Sequence, residues 1–233
     1  MGTFNFKQFA IRQDHAAMKV GTDGTMLGCW ANQQDAKHIL DIGTGTGLIA
    51  LISAQKSPSA SIIALEINDH AIIDATFNIE QSPFKDRVEL IHSSLQSYQT
   101  DQQFDYIISN PPFFENSMPS NNEDKHEARH TDGLSFEELL SFAENHITPK
   151  GKLGLVYPIE LAEKHVELAL SQGWQLSRKC IVRPTLQKEP HRLLFELSRS
   201  NSSTVIEELY IEKGRHDYSE PYVAMCKDFY TIM

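Results

Sequence analysis

Apolar and polar positions along the chain follow two periods in turn. Short aliphatic runs at 38–42, 61–65, 87–92, 104–109 and 152–157 read as strands buried on both faces. Between them the spacing turns helical. Residues 48–56 form one such stretch, and Ile72, Ala75 and Ile79 fall on one face of another, with Asp69 as its candidate N-cap. Ser135 and Glu138 make a capping box ahead of Phe136, Leu139, Leu140 and Ala143. Ala162, Val166, Ala169 and Leu170 stripe a last helix that ends near Gly173. Only strands are expected after it, at 175–182, 192–198 and 205–211. Repeated strand–helix units that finish in a hairpin predict an α/β fold. Its sheet is doubly wound and mostly parallel, with antiparallel strands at one edge.

Composition narrows the class without identifying it. A chain of 233 residues can bury one full core, and no repeat, low-complexity tract or linker divides it. Cys29, Cys180 and Cys226 are too few and too scattered for a disulfide framework or a cysteine zinc site. No run reaches the length of a membrane span, and the first residues lack a basic-then-apolar signal pattern. A cytoplasmic monomer without membrane or metal partners is the expectation. The net charge of −10 argues against nucleic acid only as a sum. Residues 38–112 hold 3 Lys/Arg against 9 Asp/Glu, whereas residues 174–199 hold 6 against 2. An acidic body therefore carries a basic late segment.

Two turns concentrate the chemistry. Asp41-Ile42-Gly43-Thr44-Gly45-Thr46-Gly47 follows the first strand, where glycine lets a ligand approach the backbone and the next helix offers free N–H donors. Glu66 ends the second strand, placed to accept from two ribose hydroxyls. A nicotinamide dinucleotide or S-adenosylmethionine would fit this arrangement. Leu48 stands where a dinucleotide fingerprint needs its third glycine, and Asp41 replaces the usual apolar lead-in; both features favour S-adenosylmethionine. The second turn, Asn110-Pro111-Pro112-Phe113, ends the strand at 104–109. Proline cannot continue that strand, so the turn presents an amide acceptor, carbonyls without neighbouring N–H donors and an aromatic face. Such a set suits a planar amine held against a ring.

Together, Asp41, Gly43, Gly45, Gly47, Glu66 and Asn110-Pro111-Pro112-Phe113 resemble a class I methyltransferase acting on an exocyclic amine. Met18-Lys19-Val20-Gly21-Thr22-Asp23-Gly24-Thr25-Met26-Leu27-Gly28-Cys29-Trp30 and Ala128-Arg129-His130-Thr131 resemble bacterial adenine-N6 methyltransferases that modify valine tRNA beside the anticodon. The resemblance implies a Rossmann-like sheet of seven strands in one methyltransferase domain. Within it, 1–37 would cover the cofactor, 38–200 form the core and 201–233 extend it. It further implies that Lys19 and Asp23 join the cofactor site, with S-adenosylmethionine as cofactor and tRNA as substrate. Relatives often place an acid after the third strand to hold the cofactor's adenine; here Ser93-Ser94 stands there, and a Ser94 hydroxyl can bond a base edge.

In the mechanism this implies, the Asn110 side-chain oxygen and the Pro111 carbonyl orient the N6 amine. Phe113, beside Pro112, stacks on the adenine, and no strong base is needed. Arg129 and the basic residues Lys179, Arg183, Lys188 and Arg192 are the candidates for phosphate contact. The same turn would serve guanine-N2 methylation of RNA or N5 methylation of a protein glutamine. His126-Glu127-Ala128-Arg129-His130 matches H-E-x-x-H, but its polar flanks offer no apolar face for the buried helix that zinc chemistry requires, so no metal is expected.

Overall fold

The computed structural model describes residues 2–112, 134–201, 203–215 and 217–231. Its central feature is a nine-stranded sheet. Strands β3 (His38–Ile42), β4 (Ser61–Glu66), β5 (Val88–His92), β6 (Phe104–Ser109), β7 (Ile147–Pro158), β8 (Gln175–Thr185), β9 (Arg192–Ser198), β10 (Val205–Gly214) and β11 (Asp217–Tyr218) lie in the order β11-β10-β8-β9-β7-β6-β3-β4-β5. A small hairpin of β1 (Thr3–Asn5) and β2 (Ala10–Arg12) stands apart. The eight strands that the pattern predicts are β3 to β10, one more than the resemblance implies, and the two-residue β11 adds to their edge. Only β9 and the two-residue β11 run against the rest, because β10 pairs parallel with β8. The antiparallel edge is thus narrower than the sequence pattern implies.

Strand order reverses between β3 and β6, which are direct neighbours. At that switch the connections leave toward opposite faces and open a crevice at the carboxyl ends of the strands. Both faces are covered, so alternate strand residues enter separate cores. Ile39, Ile62, Ala64, Tyr106 and Ile108 pack on one side with α1 (Thr22–Trp30), α2 (Leu48–Lys56), α3 (Asp69–Glu80) and α6 (Glu220–Cys226). Leu40, Ile42, Ile63, Leu65 and Ile107 pack on the other with α4 (Phe136–His146) and α5 (Ile159–Ser171). Among the described residues, no helix is long and apolar enough to cross a membrane.

Local signals account for most elements. The Ser135–Glu138 capping box forms as expected, and Phe136, Leu139, Leu140 and Ala143 are buried. Gly173 ends α5 with a left-handed φ of 83°. Several details differ. Asn68, not Asp69, caps α3, because its side chain accepts from the N–H groups of His70 and Ala71. Leu170 lies outside the buried stripe of α5, which consists of Ala162, Val166 and Ala169. A helix, α6, follows the last strands, its Ser219 side chain accepting from the Tyr222 N–H. The least anticipated element is α1, which holds two glycines and has no side-chain cap. Packing explains it: a Cβ on Gly28 would stand 2.9 Å from Ile52 Cγ2, so only glycine lets α1 approach α2 this closely.

Candidate active site at the carboxyl edge of the sheet

The glycine turn after β3 is held open by hydrogen bonds to its own backbone. Gly43 and Gly45 have φ of 71° and 60°, in the left-handed region that glycine enters freely. Thr44 N–H donates to the Leu65 carbonyl at 2.8 Å, and Gly45 N–H to Glu66 Oε2 at 2.7 Å. Glu66 Oε1 accepts from Ile67 N–H at 2.9 Å and Asn68 N–H at 2.8 Å. One carboxylate therefore gathers the turns after β3 and β4. A Cβ built on Gly43 or Gly45 meets no atom within 4 Å, so both positions face open space that a ligand can enter.

Beneath this turn Asp41 is fully buried, its Oδ2 accepting from the Thr44 hydroxyl at 2.5 Å. Burial pushes its carboxyl up to about 7; the Thr44 hydroxyl and Ala50 N–H hold it down and the Glu66 charge adds to the rise. Asp41 thus shapes the turn from below, and it does not line the cleft. α2 then starts at Gly47 without a side-chain cap, as α1 starts at Gly21. Two helix amino ends with free N–H groups converge on one cleft of about 430 Å³, a volume suited to a small cofactor.

Asn110, Pro111 and Pro112 form another wall of the same cleft. Asp41 and Asn110, where the two motifs begin, are 69 residues apart in the sequence; the pairing of β3 with β6 brings the two turns together. Asn110 is half-buried, and no described residue takes up its side-chain amide in a hydrogen bond. A Cβ on Gly24 would stand 3.5 Å from Asn110 Nδ2, so the first turn of α1 lies directly against it. Phe113, Arg129 and the His126–His130 match fall outside the described residues.

The remaining expected residues divide. Lys19, Asp23 and Arg192 line the cleft. Asp23 Oδ2 accepts from Arg192 Nε at 2.8 Å, which ties the start of α1 to the start of β9. Arg192 therefore serves the cleft wall rather than standing free for phosphate. Arg183, near the end of β8, and Lys188, on the β8–β9 turn, lie at the same end of the sheet, with Arg183 Nη1 donating to the Lys188 carbonyl at 3.1 Å. Lys179 sits four residues earlier, opposite Phe195, roughly 13 Å down the strand. Two other basic residues of this segment have structural work. Arg178 lies over Trp30 at 4.3 Å and pairs with Glu207, and Arg199 pairs with Glu144 at the far end. Ser94 is spent on its own turn: its hydroxyl donates to Ser97 Oγ and accepts from Ser97 N–H.

Met18 and Thr22 lie in the segment whose resemblance placed it over the cofactor, whereas His191 and Ile211 also line the cleft without having been singled out. His191 Nδ1 lies 3.2 Å from the Val182 carbonyl, and burial lowers its pKa, helped by Arg192 and opposed by Val182 and Asp23. Its adjacency to Arg192 in a basic stretch was the only available clue.

The methyltransferase small domain family matches residues 20–174. A curated protein of Pseudoalteromonas translucida, named tRNA1(Val) (adenine(37)-N6)-methyltransferase, is 42% identical over 233 residues, covering 100% of both chains. A predicted O-methyltransferase of Agrobacterium tumefaciens superposes with a TM-score of 0.68 at 16% identity, over 89% of this chain and 96% of that one. A glycopeptide N-methyltransferase solved with S-adenosyl-L-homocysteine gives 0.56 at 12% identity, over 78% and 92%. These last two likenesses concern the fold.

Proposed function

The chain belongs to the methyltransferase small domain family, and from that premise we propose that it methylates the exocyclic N6 amine of an adenine in tRNA. In its relatives' naming this is adenine 37 of tRNA1(Val). One observation carries the reading: the Asn110 turn and the glycine turn are two walls of a single cleft. A methyl donor on one wall faces an amine on the other.

S-Adenosylmethionine supplies a methyl group on a positively charged sulfur. The residues present fit it: Gly43 and Gly45 leave room and the amino ends of α1 and α2 suit its carboxylate, while Glu66, buried outside the cleft lining, braces the glycine turn from behind. On the other wall the Asn110 side-chain oxygen and the Pro111 carbonyl accept the two N6 hydrogens. This holds the nitrogen lone pair toward the methyl carbon. Once bound, the cofactor would supply the methyl group, the carbon–sulfur electron pair staying with sulfur, and N6 would give up one proton to water. Phe113 stacks on the ring, and positioning supplies most of the acceleration. Such an adenine leaves its stack most easily from a single-stranded loop. Arg183 and Lys188, at the cleft end of the sheet, then contact phosphates.

The test is transfer of tritiated methyl to unmodified bulk tRNA, followed by nucleoside analysis. Label in N6-methyladenosine is the expected result. Label in N2-methylguanosine, or only in glutamine of a protein substrate offered in parallel, would reassign the amine.

A further inference from the structure

The connection from β2 to α1 is anchored more heavily than a loop requires. Asn78, buried on the inner face of α3, accepts from the Arg12 N–H at 2.7 Å through Oδ1. Its Nδ2 donates to the Arg12 carbonyl at 2.8 Å and to the Thr46 carbonyl at 2.9 Å. One side chain thus pairs with both backbone groups of Arg12, as a neighbouring strand would, and binds it to the glycine turn. One helical turn earlier, Asp74 accepts from the N–H groups of His15 at 2.8 Å and Ala16 at 2.9 Å, and from Arg12 Nε at 3.2 Å. Burial alone would raise the Asp74 carboxyl; the Ala16 and His15 donors and Arg12 outweigh it, and its pKa lies below the ordinary value. Gln13 Oε1 closes the neck of the loop by accepting from Val20 N–H at 2.7 Å. The closed loop carries Met18 and Lys19, which line the cofactor cleft.

Two buried polar residues, four apart on a helix face, cost desolvation that aliphatic side chains would avoid. Apolar contacts would hold α3 to the sheet equally well, but they could not fix the direction of a loop that has only backbone to offer. We propose that Asp74 and Asn78 are positioning residues for the cofactor. They clamp the strap at Arg12–Ala16 to the glycine turn, so that Met18 and Lys19 stand over the cleft before S-adenosylmethionine arrives. Binding then costs little ordering of the strap. This inference rests on the assignment of the cleft to S-adenosylmethionine.

The test measures binding of S-adenosylhomocysteine by titration calorimetry, alongside KM for S-adenosylmethionine and for tRNA. Asp74→Asn and Asn78→Ala are expected to weaken cofactor binding by roughly tenfold or more while tRNA KM moves by less than about twofold. A purely structural role would instead lower the active fraction and leave both KM values in place. Gln13→Ala loosens the strap at its neck without touching α3, so it keeps the proposal testable should an α3 variant fail to fold; a smaller weakening is expected. In a double-mutant cycle, Met18→Ala should shrink the effect of Asp74→Asn, because both act through one strap. Wild-type affinity in Gln13→Ala and in folded Asp74→Asn, or strict additivity in the cycle, would overturn the proposal. A wild-type protein that bound no S-adenosylhomocysteine would instead overturn the cofactor assignment itself.

Discussion

Two turns leave neighbouring parallel strands at one edge of the sheet, and they are built on opposite plans. The glycine turn after β3 is committed before any ligand is present. Its N–H groups already reach Leu65 and Glu66, Asn78 holds the Thr46 carbonyl, and Asp41 bonds Thr44 from below. The turn after β6 is stiffened by two prolines instead, and no described residue claims the Asn110 amide. One wall is preorganised by bonds made; the other, among the described residues, is preorganised by bonds withheld. A cofactor that returns with every turnover suits the first plan. An amine that must be gripped at the moment of reaction suits the second, because acceptors left free are those that can strengthen toward the transition state.

The sharpest way to break this contrast is Asn110→Ala. It should lower kcat by about 100- to 1000-fold while cofactor affinity changes little, as expected for loss of an oriented transition-state contact. Loss of cofactor binding in that variant would mean the two walls are not separable. On the opposite wall Glu66→Gln replaces an acceptor of three N–H groups by an amide whose NH2 opposes one of them. Cofactor affinity should fall by roughly 10- to 100-fold, the range for hydrogen bonds to a charged partner. Turnover at saturating cofactor should suffer less, and a larger loss in kcat than in affinity would refute the assignment of Glu66 to binding.

The same contrast decides what could be read from the sequence. Both turns were legible because their chemistry is local: proline and glycine act through their own backbone, wherever the chain later goes. The Ser135–Glu138 capping box was legible for the same reason. α1 was not, since Thr22, Gly24, Thr25 and Gly28 are poor helix formers and the helix depends on how closely Gly28 meets Ile52. Asp74 and Asn78 were passed over because a search for an apolar stripe on α3 discounts polar residues, although they lie four apart beside Ala71 and Ala75 on the buried face. The direction of β10 was hidden too, because alternation along a strand carries no record of its neighbour. Arg192 reads as a cation for phosphate in the sequence, whereas the fold sets Asp23 beside it.

Asp41 sharpens the comparison through stability. Its carboxyl titrates near 7 in the fold, against an ordinary value of 3.8. The folded state therefore binds more protons than the unfolded chain between those two values. The resulting stabilisation is complete below the ordinary value and is lost as pH rises through about 7. Asp41→Asn keeps an acceptor for the Thr44 hydroxyl and removes the titration. Its Tm should vary less than that of the wild type between pH 5 and pH 8, in thermal melts at about those two values. An unchanged slope would mean that the carboxyl is not the group responsible.

The smallest expected effect separates the basic residues by place rather than by charge. Lys188 is exposed on the β8–β9 turn at the cleft end, whereas Arg199 is tied to Glu144 and the Gln172 carbonyl at the other end. Each is one positive charge, so net charge alone would predict equal consequences for tRNA affinity. If phosphate is met at the cleft end, Lys188→Ala should raise tRNA KM a few-fold and flatten its log–log salt dependence by about 0.7 to 0.9, the share of one phosphate contact. Arg199→Ala should leave that slope alone and appear only as a small loss of stability, since exposed ion pairs are worth about 0 to 1 kcal/mol. Equal slopes in the two variants would place the RNA contact elsewhere. The basic segment would then be an ordinary solvated edge.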